Sequence, residues 1–129
     1  MQNAKCKIKN GDRYMNVVYD KSFQFAIRIV KLYRFLMENK REFVLSKQLL
    51  RCGTSIGANV AEAEKGQSLA DFYAKMNIAL KEANETKYWL RLLHATEYLT
   101  NQQFVSLDAD VKELIALLVA ICKRNPSAK

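Results

Sequence analysis

Leu45-Ser46-Lys47-Gln48-Leu49-Leu50-Arg51-Cys52-Gly53-Thr54-Ser55-Ile56-Gly57-Ala58-Asn59-Val60-Ala61-Glu62-Ala63 decides how the chain is read. Taken as a helix, it has three faces. Leu45, Leu49, Cys52, Ile56, Asn59 and Ala63 alternate in steps of four and three and form an apolar seam. Gly53, Gly57 and Ala61 step by fours and leave a second face almost without side chains. Gln48, Arg51, Ser55 and Glu62 form a polar stripe. A glycine inside a helix costs about 1 kcal/mol relative to alanine. The two glycines therefore predict a neighbour that approaches this face closely.

Working outward, the 129 residues suit one domain with a real core, since half of them are hydrophobic. With four glycines and one proline, Pro126 in the tail, the chain favours long helices over a β-rich fold. The net charge of +8 is unevenly placed. Residues 1–21 and 22–42 each carry five basic against two acidic side chains, and the tail 123–129 adds three basic ones. Residues 67–99 balance, and residues 100–122 are acidic by two. This pattern points to a polyanionic partner or to a solubilising surface.

The first helix is expected over about Asp20–Asn39, with a seam of Phe23, Ala26, Val30, Tyr33 and Met37. Phe25, Ile29 and Leu32 widen its apolar arc to about 220°, more than one bundle interior uses. The second helix is expected from Phe43 to Lys65, closed by Gly66. Ser68 with Asp71 is a capping box for the third helix (Leu69–Tyr98), and Thr100 with Gln103 caps the fourth (Asn101–Lys123). In the third, Leu69, Phe72, Met76, Ala79, Ala83, Thr86, Leu90 and Leu93 hold heptad positions. In the fourth, the seam is Phe104, Leu107, Val111, Leu114, Leu118 and Ile121. Short connections and a period near 3.5 predict an all-α fold, an antiparallel up-and-down left-handed four-helix bundle. It spans residues 20–123, with an irregular basic arm at 1–19 and a basic tail at 124–129.

No constellation for catalysis, cofactor or metal is expected. His94 is the single histidine, and His94-Ala95-Thr96-Glu97 reverses the Glu-x-x-His order of di-iron bundles. Cys6, Cys52 and Cys122 form no C-x-x-C pair. Gly53-Thr54-Ser55-Ile56-Gly57 lacks the Lys-Ser/Thr ending of a phosphate loop. An odd cysteine count, the absence of an apolar leader and the absence of an 18-residue apolar run predict a cytoplasmic protein with no membrane partner. Asn59, on the seam, is expected to bond to another helix and set register. The stripe Gln48, Arg51, Ser55 and Glu62 either locks helices or meets a ligand. Lys81, Glu82, Glu85 and Lys87 are its candidate partners. Trp89 with Tyr88 and Leu92 is a stacking platform for bases or an oligomer contact. The second reading is favoured, with Phe25, Ile29, Leu32 and Ile78 on the same interface.

At Arg51, Ser55-Ile56 and Asn59-Val60-Ala61-Glu62 the sequence resembles the bacterial 23S rRNA intervening-sequence proteins, also called the S23 ribosomal protein family. Asp20-Lys21-Ser22-Phe23 and the stretch from Ala79 to Leu90 support the likeness, which covers about residues 17–122. The resemblance implies a four-helix bundle, ring-shaped homopentamers and no established enzymatic activity. Accessory proteins of diversity-generating retroelements, a related group, imply binding to nucleic acid and to a reverse transcriptase.

The expectation is therefore a non-enzymatic homo-oligomer that binds RNA or DNA without base specificity. Phosphate contacts would come from Arg28, Lys31, Arg34, Lys40, Arg41 and Lys47. The alternatives are a structural or protein-interaction scaffold, and an enzyme using the polar stripe.

Overall fold

Four helices follow one another along the chain: α1 (Arg13–Lys40), α2 (Leu45–Glu64), α3 (Leu69–Ala95) and α4 (Asn101–Cys122). They come from a computed structural model that describes residues 13–127, with side chains from Met15 onward. The described residues contain no strand. Residues 1–12 of the arm expected at 1–19, with Cys6, and the last two residues of the tail lie outside the described residues.

Ion pairs fix the topology. Lys21 reaches Glu113 at 3.2 Å and Arg28 reaches Asp110 at 2.5 Å, so α1 and α4 run in opposite directions. Arg51 pairs with Glu82 and Glu85, while Glu62 pairs with Lys75, so α2 and α3 do likewise. Ser22 lies against Gly57 and Ile29 against Gly53, which sets α1 antiparallel to α2. The result is an all-α, up-and-down four-helix bundle in which each helix packs on its sequence neighbour and α4 closes on α1.

Helix α1 starts seven residues before the expected Asp20, so 13–19 are helical rather than irregular. Met15 and Val18 are buried and extend the seam by two positions. That seam is Met15, Val18, Ser22, Phe25, Ile29, Leu32 and Leu36, in steps of three and four. It is not the expected row. Phe23 is 61 % exposed, and Ala26, Val30, Tyr33 and Met37 are half-buried. Two 3-4 rows overlap on one wide apolar arc, and periodicity cannot choose between them. The bare face of α2 chooses, because it admits Ile29 and Ser22 and leaves Phe23 outside.

In α2 the buried row is Leu49, Cys52, Ile56, Val60 and Ala63, with Leu45 half-buried. Val60 takes the place expected for Asn59. A straight helix advances 3.6 residues per turn, so the row drifts by one position over these turns. Asn59 is half-buried and donates through Nδ2 to the Ser55 carbonyl of its own helix at 2.9 Å. Its expected cross-helix, register-setting role is thereby corrected.

The seams of α3 and α4 match expectation from Phe72 to Leu93 and from Leu107 to Ile121, with Leu69 and Phe104 half-buried. Thr86 in the α3 row satisfies its hydroxyl on the Glu82 carbonyl at 2.8 Å. Thr100 and Gln103 form the reciprocal capping box. Ser68 accepts from the Asp71 N–H, but the Asp71 carboxylate takes the Gln67 N–H instead. Helix α3 ends earlier than expected, at Ala95. Glu97 adopts φ 72° and Tyr98 N–H returns to the Leu93 carbonyl at 2.9 Å, a Schellman closure usually built on glycine.

The α1–α2 connection turns at Arg41, which has φ 56°. Glu42 then caps α2. Its carboxylate accepts from the backbone N–H groups of Val44, Leu45 and Ser46 at 3.1, 3.0 and 2.6 Å. Burial works to raise the pKa of this carboxyl, and the three N–H donors outweigh it and hold the group below its ordinary 4.5.

Candidate functional site

The three faces of α2 meet different surroundings. A Cβ on Gly53 would lie 2.8 Å from Ile29 Cγ1, and one on Gly57 would lie 3.2 Å from the Ser22 carbonyl oxygen. The close neighbour predicted for the bare face is α1. On the polar stripe, Arg51 bonds to Glu82 at 3.3 Å and more tightly to Glu85. The Trp89 indole N–H donates to the same Glu85 carboxylate at 3.0 Å. That bond and Arg51 pull the Glu85 carboxyl below its ordinary value, and Glu85 pushes Arg51 further up. Glu62 pairs with Lys75 at 2.9 Å. Ser55 turns its hydroxyl back to the Arg51 carbonyl at 2.6 Å, and Gln48 is exposed.

Two of the four stripe residues, Arg51 and Glu62, therefore tie α2 to α3. Of the stripe's candidate partners, Glu82 and Glu85 take part, and Lys81 and Lys87 form no ion pair among the described residues. Lys75 was missed, although the antiparallel register that puts Arg51 beside Glu85 also puts Glu62 beside residue 75.

The cysteine in this stretch is not set up for chemistry. Burial raises the Cys52 thiol to about 11, and its Sγ lies 3.6 Å from the Leu49 carbonyl. His94 lies at the far end of α3, stacked on Phe104 at 4.3 Å and 5°, with Nε2 2.6 Å from Asn101 Oδ1. Among the described residues no three His, Cys, Asp or Glu side chains converge as metal ligands. No helix there is long and apolar enough to cross a membrane.

Of the six basic residues read as phosphate-facing, Arg28 is occupied. Its guanidinium bonds to Asp110 at 2.5 Å and to the Ser106 hydroxyl at 2.9 Å, and so ties α1 to α4. Lys31, Arg34, Lys40, Arg41 and Lys47 are exposed and enter no ion pair among the described residues. They lie on the last turns of α1, the connection and the first turn of α2. Lys40 sits 5.9 Å above the Phe35 ring and Arg41 5.6 Å above Phe43.

The expected interface residues divide. Phe25, Ile29 and Leu32 are core residues, 2 %, 0 % and 8 % exposed, and cannot meet another copy without unfolding α1. The apolar row that α1 does present outward is Tyr19, Phe23 and Ile27, one residue per turn. On α3, Ile78 is exposed, while Trp89 and Leu92 are half-buried.

Helix order, the glycine face packed on α1 and the Arg51–Glu85 lock together define a small antiparallel helical bundle with a polar seam between α2 and α3. The chain belongs to the 23S rRNA-intervening sequence protein family, whose model matches residues 15–120. It is similar to a protein of unknown function from the S23 ribosomal protein family of Bacteroides thetaiotaomicron VPI-5482, seen in a crystal structure. The two share 60 % identity and superpose with a TM-score of 0.84 over 85 % of this chain and 98 % of that one. Among curated proteins none matches.

Proposed function

We propose that this protein is a non-enzymatic homo-oligomer that binds nucleic acid, RNA in the first place, through a basic surface without base specificity. The supporting observation is the set Lys31, Arg34, Lys40, Arg41 and Lys47, exposed and outside any ion pair among the described residues. Such side chains bind by releasing counterions from phosphates, so affinity falls steeply with salt. Self-association is supported by the Tyr19–Phe23–Ile27 row, an apolar face left exposed among the described residues. A cytoplasmic ring of five copies would follow the family resemblance and multiply the phosphate contacts.

The test is binding of RNA and of DNA across a salt series. Affinity that drops with a log–log slope of about −0.7 to −0.9 per phosphate contact is expected. Replacing Lys31, Arg34 and Lys47 with alanine would flatten that slope. Absence of binding at low salt overturns the proposal. One feature favours a protein partner instead: Phe43 and Val44, 46 % and 70 % exposed, sit beside the basic cluster. One stoichiometric protein retained after nuclease treatment, with no RNA or DNA affinity in the purified chain, would establish that scaffold reading.

A further inference from the structure

We infer that the outer face of α3 near its C-terminus is a stacking subsite for an unpaired base of a single-stranded nucleic acid, an inference that rests on the nucleic-acid reading above. The charge balance of residues 67–99 hides this surface in the sequence. The fold sorts it. Glu82 and Glu85 turn to α2 and are taken by Arg51. Lys81, Lys87 and Arg91 keep no ion pair among the described residues, with Glu97 as the acid in the following turn. A stretch that is neutral by count over residues 67–99 thus presents a basic face.

Tyr88 stands in that face, 55 % exposed. Its ring is braced edge-on by Trp89, with centroids 5.2 Å apart and planes at 75°. Trp89 is in turn held by Glu85, which Arg51 holds. The chain of contacts from α2 supports the Tyr88 ring on one side and leaves more than half of the residue exposed. Beside it lies a groove of about 420 Å³ between Tyr88, Arg91, Leu92, His94, Ala95 and Phe104. Its far wall is the His94–Phe104 stack. An aromatic platform, an apolar floor and a guanidinium at the rim suit a base with its own phosphate. A base engages such a site only when it is out of a duplex. Charge complementarity selects the polyanion over an apolar peptide.

The experiment uses the full chain with a short oligouridylate, the same length of duplex RNA, and light scattering. Trp89, the one tryptophan of the chain, reports binding directly beside Tyr88. The oligouridylate is expected to bind more tightly than the duplex and to change Trp89 emission. Tyr88→Ala should weaken it about ten-fold with the salt slope unchanged. Tyr88→Phe should retain affinity, and Arg91→Ala should lower the slope by about one phosphate contact. If Tyr88→Ala binds like the parent while the Lys31, Arg34 and Lys47 replacements abolish binding, nucleic-acid binding stands and the stacking subsite is overturned. If the parent binds neither RNA, both readings fall. If Tyr88→Ala instead alters the oligomer mass, the face is a contact between copies and the inference is overturned.

Discussion

A methyl group placed on Gly53 would lie 2.8 Å from Cγ1 and 2.9 Å from Cγ2 of Ile29. These atoms sit next to the Ile29 backbone on a stiff, β-branched side chain, so they cannot swing aside. This contact sets how near α1 comes to α2, and so which face of α1 is inside.

Gly53→Ala is therefore expected to destabilise the bundle by about 1–2 kcal/mol, overpacking exceeding the helix-propensity gain of about 1 kcal/mol. In an Ile29→Ala background the same change should become neutral or stabilising. Urea unfolding of the four-member cycle measures this, and additive effects would show that the two residues do not meet.

The orientation of α1 makes opposite predictions for two phenylalanines. Phe25→Ser should destabilise the protomer by about 3 kcal/mol or more, because it opens the core. Phe23→Ser should shift protomer stability by only about 0.5 kcal/mol and lower the mass of the assembly. Thermal unfolding and light scattering read the two effects separately.

Glu42 should carry a pH-dependent share of stability. Its carboxyl has a lower pKa folded than unfolded, so its contribution is complete above the ordinary 4.5 and fades as the pH falls below it. Glu42→Gln should cost about 1 kcal/mol at neutral pH, the scale of a lost helix cap. The difference from the parent should close in acid, and denaturation curves at stepped pH would reveal it.

Cys52 has the opposite linkage. Its thiol keeps its proton more tightly in the folded state, with a pKa raised from 9.0 to about 11. Stability should be unaffected below pH 9 and decline as the pH rises towards 11. Cys52→Ala should remove that part of the alkaline decline; Cys122, also raised by burial, contributes in the same sense. At neutral pH, Cys52 should resist alkylation until the chain unfolds, which mass spectrometry can follow.

The Arg51–Glu85–Trp89 lock should contribute little energy and much order. The Arg51 side chain is half exposed and that of Glu85 a third exposed, so solvent screening limits the pair to about 0.5 kcal/mol. Glu85→Ala should leave the bundle folded but shift Trp89 emission, since its indole N–H loses its acceptor. An unchanged spectrum would contradict the bond.

Much of this was legible from local pattern. Thr100 and Gln103 announced the start of α4, and the heptads of α3 announced its buried row, because capping and periodicity act within a few turns. Arg51 announced a partner on a neighbouring helix by lying on a stripe with no counter-charge within reach. Lys75 was not found, because naming it requires the register of α2 against α3. Glu97 was not found, because a glutamate carries no sign that its backbone will turn left-handed. Arg28 looked like a free cation until the fold set Asp110 and Ser106 beside it.

By itself the sequence determined four helices, their antiparallel order and a bare face on α2 that demanded a close neighbour. These follow from spacing, capping and the missing side chains of Gly53 and Gly57. Tertiary structure decided which neighbour came and how it was turned. Helix α1 has two apolar rows of equal period, and only contact with α2 distinguishes them, since Ile29 fits against Gly53. The same packing paired Glu82 and Glu85 with Arg51 and left Tyr88 and Arg91 facing outward. Charge and hydrophobicity are properties of residues, but exposure is a property of the assembled fold.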